Sequence, residues 1–135
     1  MDKINNDMLV IQVGELIDGI SSESKKNISI VISGNSIVDI KPTGELSIPS
    51  DLDHKLIDYS DKTILPGLVD SHVHLTGIGD GRSGDELSIL PDEVLSINMA
   101  NNAKKHLHSG VTTVRDCGAK NDTAFHLRTA AEMGI

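Results

Sequence analysis

From Met8 to about Leu65 the apolar residues fall in short β-type runs, MLVIQV, NISIVIS, SIVDIK, KLIDYS and KTIL. Turn signals separate them. Asp18-Gly19, Gly34-Asn35 and Pro42-Thr43-Gly44 stand where a chain reversal needs a positive or a fixed φ. Ser33-Gly34-Asn35-Ser36, between two Ile/Val runs, predicts a hairpin. Residues 1–65 are therefore expected to form a small β domain.

After Pro66-Gly67 the period changes. Leu68 to Leu75 reads as a strand, Pro91 to about His108 as a helix, Val111 to Arg115 as a strand, and Asn121 to Met133 as a second helix. The first helix has Pro91 near its first position, Asp92 and Glu93 in its first turn, and Lys104 and Lys105 in its last, as the macrodipole favours. Val94, Ile97, Ala100, Ala103 and Leu107 predict its apolar face, and Gly110 follows its end. Strand, helix, strand, helix implies a parallel sheet with helices outside, over residues 66–135.

Composition narrows the function classes. The chain has 135 residues, 38% hydrophobic and 24% charged, as in an ordinary globular protein long enough to bury a core. Tyr59 and Phe125 are its only aromatics, so packing rests on Ile, Leu and Val. A net charge of -8 argues against nucleic-acid and anionic-membrane partners, which need clustered Lys and Arg. The single cysteine, Cys117, cannot close an internal disulfide and is expected to be reduced and partly buried. The amino terminus, MDKINNDMLVIQVGEL, lacks the basic region and apolar length of a signal peptide. No run approaches the ~20 apolar residues of a membrane span. A cytoplasmic protein is expected.

Candidate chemistry sits in LPGLVDSHVHL, Leu65 to Leu75, where an apolar strand ends on two histidines one residue apart. By alternation Leu68, Asp70, His72 and His74 share one face, and Val69, Ser71, Val73 and Leu75 share the other, which suits packing under helices. Histidines at i and i+2 can aim both imidazoles at one cation, and Asp70 on their face could orient a ring through its other nitrogen. A His-x-His pair by itself is a weak signal. The strand context, the aspartate and the change of period at Pro66-Gly67 strengthen it. His106 and His108, at the carboxyl end of a helix, belong to the opposite rim and are expected to be solvated, and His54 and His126 to lie on the surface.

Asp18-Gly19 after an early strand, then KTILPGLVDSHVHL, then a helix ending in KKHLHSGVTTVRDCG, together resemble the amidohydrolase superfamily of metal-dependent hydrolases. The stretch GVTTVRDCG, Gly110 to Gly118, most resembles the branch with imidazolonepropionase-like and prolidase-like enzymes. The resemblance implies a β-sandwich-type domain over residues 1–65 and, over 66–135, the start of a (β/α)8 TIM-type barrel. It implies His72 and His74 as metal ligands. By their places on the strands, Asp70, Arg115 and Asp116 are candidates for the rim or for orienting the ligands, the plainer role of Arg115 and Asp116 being a structural salt bridge or a loop hydrogen bond. A barrel of this type takes ~250 residues, whereas this chain supplies two strand-helix units. An amino-terminal fragment, with no catalytic residue of its own, is thus expected. The implied activity is hydrolysis of the C–N bond of an amide, cyclic amide or dipeptide by a metal-activated water. The implied cofactor is a divalent metal, Zn in the first instance, with one or two ions in the complete enzyme, which is expected to be a homo-oligomer acting on small molecules.

Two rivals stand beside this reading. One is a non-catalytic β-rich assembly or binding module. The other is a dinucleotide site, because Gly79, Gly81 and Gly84 spell G-x-G-x-x-G after a strand and Asp116 ends the next. Asp80, Asp85 and Glu86 would repel a pyrophosphate, the helix starts too late to offer its amino terminus, and Asp116 lies beyond the ~20-residue spacing. The loop is better read as a flexible rim.

Overall fold

The computed structural model describes residues 8–49, 53–84, 86 and 89–135. The first seven residues, part of the stretch weighed as a leader, lie outside the described residues, as does Asp85. The chain divides into two compact units, Met1–Pro66 and Gly67–Ile135.

The first unit is a four-stranded sheet of β1 (Met8–Leu16), β2 (Lys25–Ser33), β3 (Ser36–Pro42) and β4 (His54–Ile64), in the order β3-β2-β1-β4. The predicted hairpin forms: Ser33 pairs with Ser36 across Gly34, whose φ of 60° suits a residue without a Cβ. In NISIVIS four successive residues, Ile28 to Val31, are buried, so both faces of this strand are covered. Ile28 and Ile30 are buried with Val13 and Leu16, and Ile11, Ile32 and Ile64 pack around them.

KLIDYS and KTIL, expected as separate runs, are one strand of 11 residues. The polar residues between them are absorbed in a bulge: β1 pairs Val13 with Tyr59 and then Glu15 with Thr63, so β4 spends extra residues opposite Gly14. A Cβ at position 14 would collide with the Ser60 carbonyl, so the bulge exists at the expense of a side chain on β1. Beside it the Glu15 carboxylate joins three parts of the unit. It pairs with the Lys26 ammonium of β2 at 2.6 Å and accepts hydrogen bonds from the hydroxyls of Thr63 in β4 and Ser24.

The second unit contains β5 (Leu68–Val73), α1 (Asp92–His108), β6 (Val111–Asp116) and α2 (Thr123–Glu132). β5 and β6 pair in parallel, as the strand–helix–strand order requires. Pro91 caps α1 at its start. At its end Gly110 takes a φ of 91° and donates its N–H to the Leu107 carbonyl, closing the last turn. No helix among the described residues is long and apolar enough to cross a membrane.

Two expectations about faces are corrected here. The buried face of α1 is Leu95, Met99 and Asn102, not the stripe of Val94, Ile97, Ala100, Ala103 and Leu107; of these only Ala103 packs on the core, and Ile97 is 73% exposed. Met99 seats on Val73 and Leu75. The turn of helix beside it must present hydrogen-bond donors to the loop that follows β5, so asparagine displaces an apolar residue. Secondly, the strict alternation of β5 is interrupted. Register shifts fall between Leu68 and Val69 and again between Asp70 and Val73, so Val73 and Leu75 are buried as expected while Val69 is 68% exposed.

Candidate metal centre

His72 lies near the end of β5, and His74 follows in the first residue beyond it. Their imidazoles converge: Nε2 of one is 3.3 Å from Nε2 of the other, with ring centroids 5.4 Å apart and planes inclined by 37°. Both rings are exposed on the open side of the strand end, while the alternate residues Val73 and Leu75 anchor the backbone beneath Met99. The arrangement therefore follows from one short sequence, an apolar anchor at every second residue and an imidazole between.

The separation of the two nitrogens bears on what they can hold. Two nitrogens each bonded to one tetrahedral ion at about 2.0–2.1 Å stand about 3.3–3.4 Å apart. The pair thus fits two ligands of one cation, and without a cation one ring N–H can donate to the other ring nitrogen. Among the described residues no group of three or more His, Cys, Asp or Glu side chains is assembled that could complete the set.

The neighbouring acids do different work. The Asp70 carboxylate accepts the backbone N–H of His72 at 3.1 Å and meets neither ring. The expectation that it orients an imidazole is corrected, because the register shift after Asp70 breaks the shared face. Asp116, at the end of β6, uses both oxygens on main chain: Oδ2 accepts the N–H of Leu75 at 3.0 Å and Oδ1 that of Gly118 at 2.9 Å. It lies beside the histidines, tied through the N–H of Leu75 to the residue after His74. Arg115 is exposed and makes no ion pair among the described residues. Cys117 is exposed rather than partly buried, because its position falls beyond β6, where the backbone turns outward with its N–H on the Val73 carbonyl.

Residues that sequence reasoning passed over hold the loop after His74. The Asn102 amide donates to the carbonyls of Leu75 and Gly77, the Asn98 amide donates to that of Thr76 at 3.0 Å, and the N–H of Gly77 returns to the His74 carbonyl at 2.8 Å. Asn98 and Asn102, one helical turn apart, were the available signal. His106 extends the same stripe, its Nδ1 donating to the Asn102 carbonyl at 3.0 Å, so it is half-buried and fixed rather than fully solvated. His108 and His126 are exposed, as is His54 in the first unit.

A cleft of about 490 Å³ opens beside His74, lined by Thr76, Gly77, Leu95, Gly118, Arg82 and Lys120. Both cations in it are already matched. Arg82 is paired with Asp80 at 2.7 Å, and the guanidinium holds that carboxyl below its ordinary range. Lys120 pairs with Asp92 at 3.1 Å and donates to the Leu90 carbonyl. The Asp92 carboxyl is lowered first by the Asn121 amide and then by Lys120. Asp92 also occupies the first turn of α1, where a pyrophosphate would have to sit, and the Asp80–Arg82 pair closes the glycine-rich loop on itself.

Residues 63–134 match the model of the amidohydrolase family. The chain belongs to that family. A dihydroorotase of Clostridioides difficile (strain 630) is 39% identical over 72 residues, 53% of this chain and 16% of the relative. Among solved structures, a Xaa-Pro dipeptidase with methionine bound in its active site is similar at 35% identity and a TM-score of 0.77, over 95% of this chain and 30% of that one. Molinate hydrolase is similar at 26% identity and a TM-score of 0.76, over 96% of this chain and 28% of that one. This amidohydrolase-family chain spans less than a third of the length of each of these relatives.

Proposed function

We propose that residues 66–135 form the first two strand–helix units of a (β/α)8 barrel, that residues 1–65 form part of a β-sandwich-type domain, and that His72 and His74 are two of the ligands of a divalent cation, zinc in the first instance. The observation that carries the metal assignment is the 3.3 Å separation of the two Nε2 atoms at the carboxyl end of a parallel strand, the end at which barrel enzymes keep their chemistry. Exposed Leu68 and Val69 on β5, at 51% and 68%, support the barrel reading, since the packed interior and the outer helices of a closed barrel would cover both faces of the strand.

The activity that fits is hydrolysis of an amide-type C–N bond in a small molecule, a dipeptide or a cyclic amide, which agrees with the Xaa-Pro dipeptidase and dihydroorotase among its relatives. When bound, a divalent cation supplies a polarised substrate carbonyl and a water acidic enough to ionise near neutral pH. The residues of this chain contribute two neutral imidazole donors, a backbone that fixes their spacing, and one wall of the cleft beside His74. The remaining ligands and the proton-transfer group belong to later strands of the barrel. A homo-oligomer in the cytoplasm is the setting in which we place the enzyme.

The decisive experiment measures metal content and turnover in the intact enzyme. His72→Ala and His74→Ala should each lower bound zinc and remove most hydrolysis of Xaa-Pro dipeptides or of a cyclic amide, with the fold retained. His106→Ala should retain activity. Full activity and metal content in His72→Ala would remove the assignment and leave a non-catalytic binding module as the better reading.

A further inference from the structure

We infer that Asp116 and Gly118 are positioning residues that form a seat for the His74 imidazole, and so set the separation of the two nitrogens on which the metal reading rests. Gly118 is a glycine for reasons of space. Its φ is not among the positive ones, unlike that of Gly110 at 91°, so the backbone at 118 would accept an L side chain. A Cβ placed there would, however, strike Nδ1 and Cε1 of His74. The imidazole lies where the side chain of residue 118 would be.

The carboxylate of Asp116 builds this seat from both sides. One oxygen takes the N–H of Leu75, the residue after His74, and the other takes the N–H of Gly118, the residue beneath its ring. A single side chain at the end of β6 thus ties the backbone carrying the imidazole to the backbone supporting it, across 41 residues of sequence. Ring rotation toward 118 is blocked by main chain, and movement of Leu75 away from β6 costs a charge-assisted hydrogen bond. What is left to the ring is the orientation that points Nε2 at His72. Asp116 does not serve the cation directly, since both its oxygens are engaged on backbone, and its influence passes through His74.

Binding of Co²⁺ to the intact enzyme, followed by equilibrium dialysis and by the visible absorption of the ion, tests the seat. Gly118→Ala and Asp116→Asn should each weaken Co²⁺ binding by about 10- to 100-fold, the usual effect of losing a group that orients a ligand, and alter the spectrum of the ion that remains. The asparagine keeps the shape of the carboxylate but can accept through one oxygen only. Gly110→Ala serves as the control: it strains the end of α1 and should lower the thermal midpoint while leaving Co²⁺ affinity unchanged. Unchanged affinity in both seat variants overturns the inference, as does a loss no larger than Gly110→Ala produces at the same drop in stability. If Gly118→Ala does not fold, Asp116→Asn decides; if neither folds, the pair are residues of stability and the inference falls. The metal reading is judged separately by His74→Ala. Should Co²⁺ binding survive that change, the metal reading fails, and the seat is then judged by the His74 ring signals in NMR spectra of the cation-free protein. Those signals shift in Gly118→Ala if the seat exists and stay in place if it does not.

Discussion

At position 102 an asparagine takes a buried place that an amphipathic helix ordinarily gives to leucine, and it is 8% exposed. Its amide serves the carbonyls of Leu75 and Gly77, which the loop after His74 turns inward and cannot pair within itself. Asn102→Leu should therefore destabilise the second unit despite its greater apolarity. Two stranded carbonyls cost about 1–3 kcal/mol each when buried without a donor, and urea unfolding of the variant should show a loss on that order. A gain in stability would mean that water reaches the loop and that the amide is dispensable. The convergence of the two imidazoles was legible from their spacing within a strand, whereas Asn98 and Asn102 were not, because a polar residue in a helix looks solvent-facing until the carbonyls it meets are known.

Among the elements, β1 shows how a local irregularity becomes a point of electrostatic control. Glu15 stands beside the Gly14 bulge, and its carboxyl is held down to about 2, from an ordinary 4.5, first by the hydrogen bond from Lys26 and then by that from Ser24. Asp18 is held well below the usual carboxylate range, first by Lys25. A carboxyl whose pKa is depressed in the folded state stabilises that state fully above its unfolded value and ceases to do so as the pH falls through the folded one. Resistance of the β unit to urea should thus decline between about pH 4.5 and pH 2. Glu15→Gln should decline less over that window, with Tyr59 in β4, the only tyrosine, as the fluorescent reporter. Parallel curves for the two proteins would show that the Lys26 pair has no consequence for folding. In α1 the corrected face gives a second expectation. Met99→Ala should cost about 2–5 kcal/mol as a cavity opens under Val73 and Leu75, while Ile97→Ala, at an exposed position, should cost little in this chain. The hydrophobic pattern located the helix but rotated its face, since α1 carries apolar residues on both sides and only packing against α2, β6 and the end of β5 selects one.

For the molecule as a whole the apolar surface is the salient property. Leu68 and Val69 of β5, Val94, Ile97 and Leu107 of α1, and Phe125 of α2 are all more than two-fifths exposed, and among the described residues of the second unit β5 and β6 pair only with each other. Parallel strands are ordinarily covered on both faces and both sides. Met1–Ile135 produced by itself should therefore self-associate, seen as a concentration-dependent mass in sedimentation, and should hydrolyse neither dipeptides nor cyclic amides with added zinc. A monomer with metal-dependent turnover would overturn the proposal that further barrel strands complete the site.

The sequence by itself determined the order of the strands and helices, the turn at Gly34-Asn35, the change of period at Pro66-Gly67 and the position of the two imidazoles one residue apart. These depend on local preferences: periodicity, turn chemistry and capping act over a few residues and leave a mark in the string. Tertiary structure decided which face of α1 is buried, that KLIDYS and KTIL run as one bulged strand, that Asp70 serves a backbone N–H, and that Asp116 joins Leu75 to Gly118. Each of these depends on a partner at least one register choice away. A bulge of one residue turns every later side chain to the other face, and a carboxylate finds the N–H groups that the paired strands bring within 3 Å.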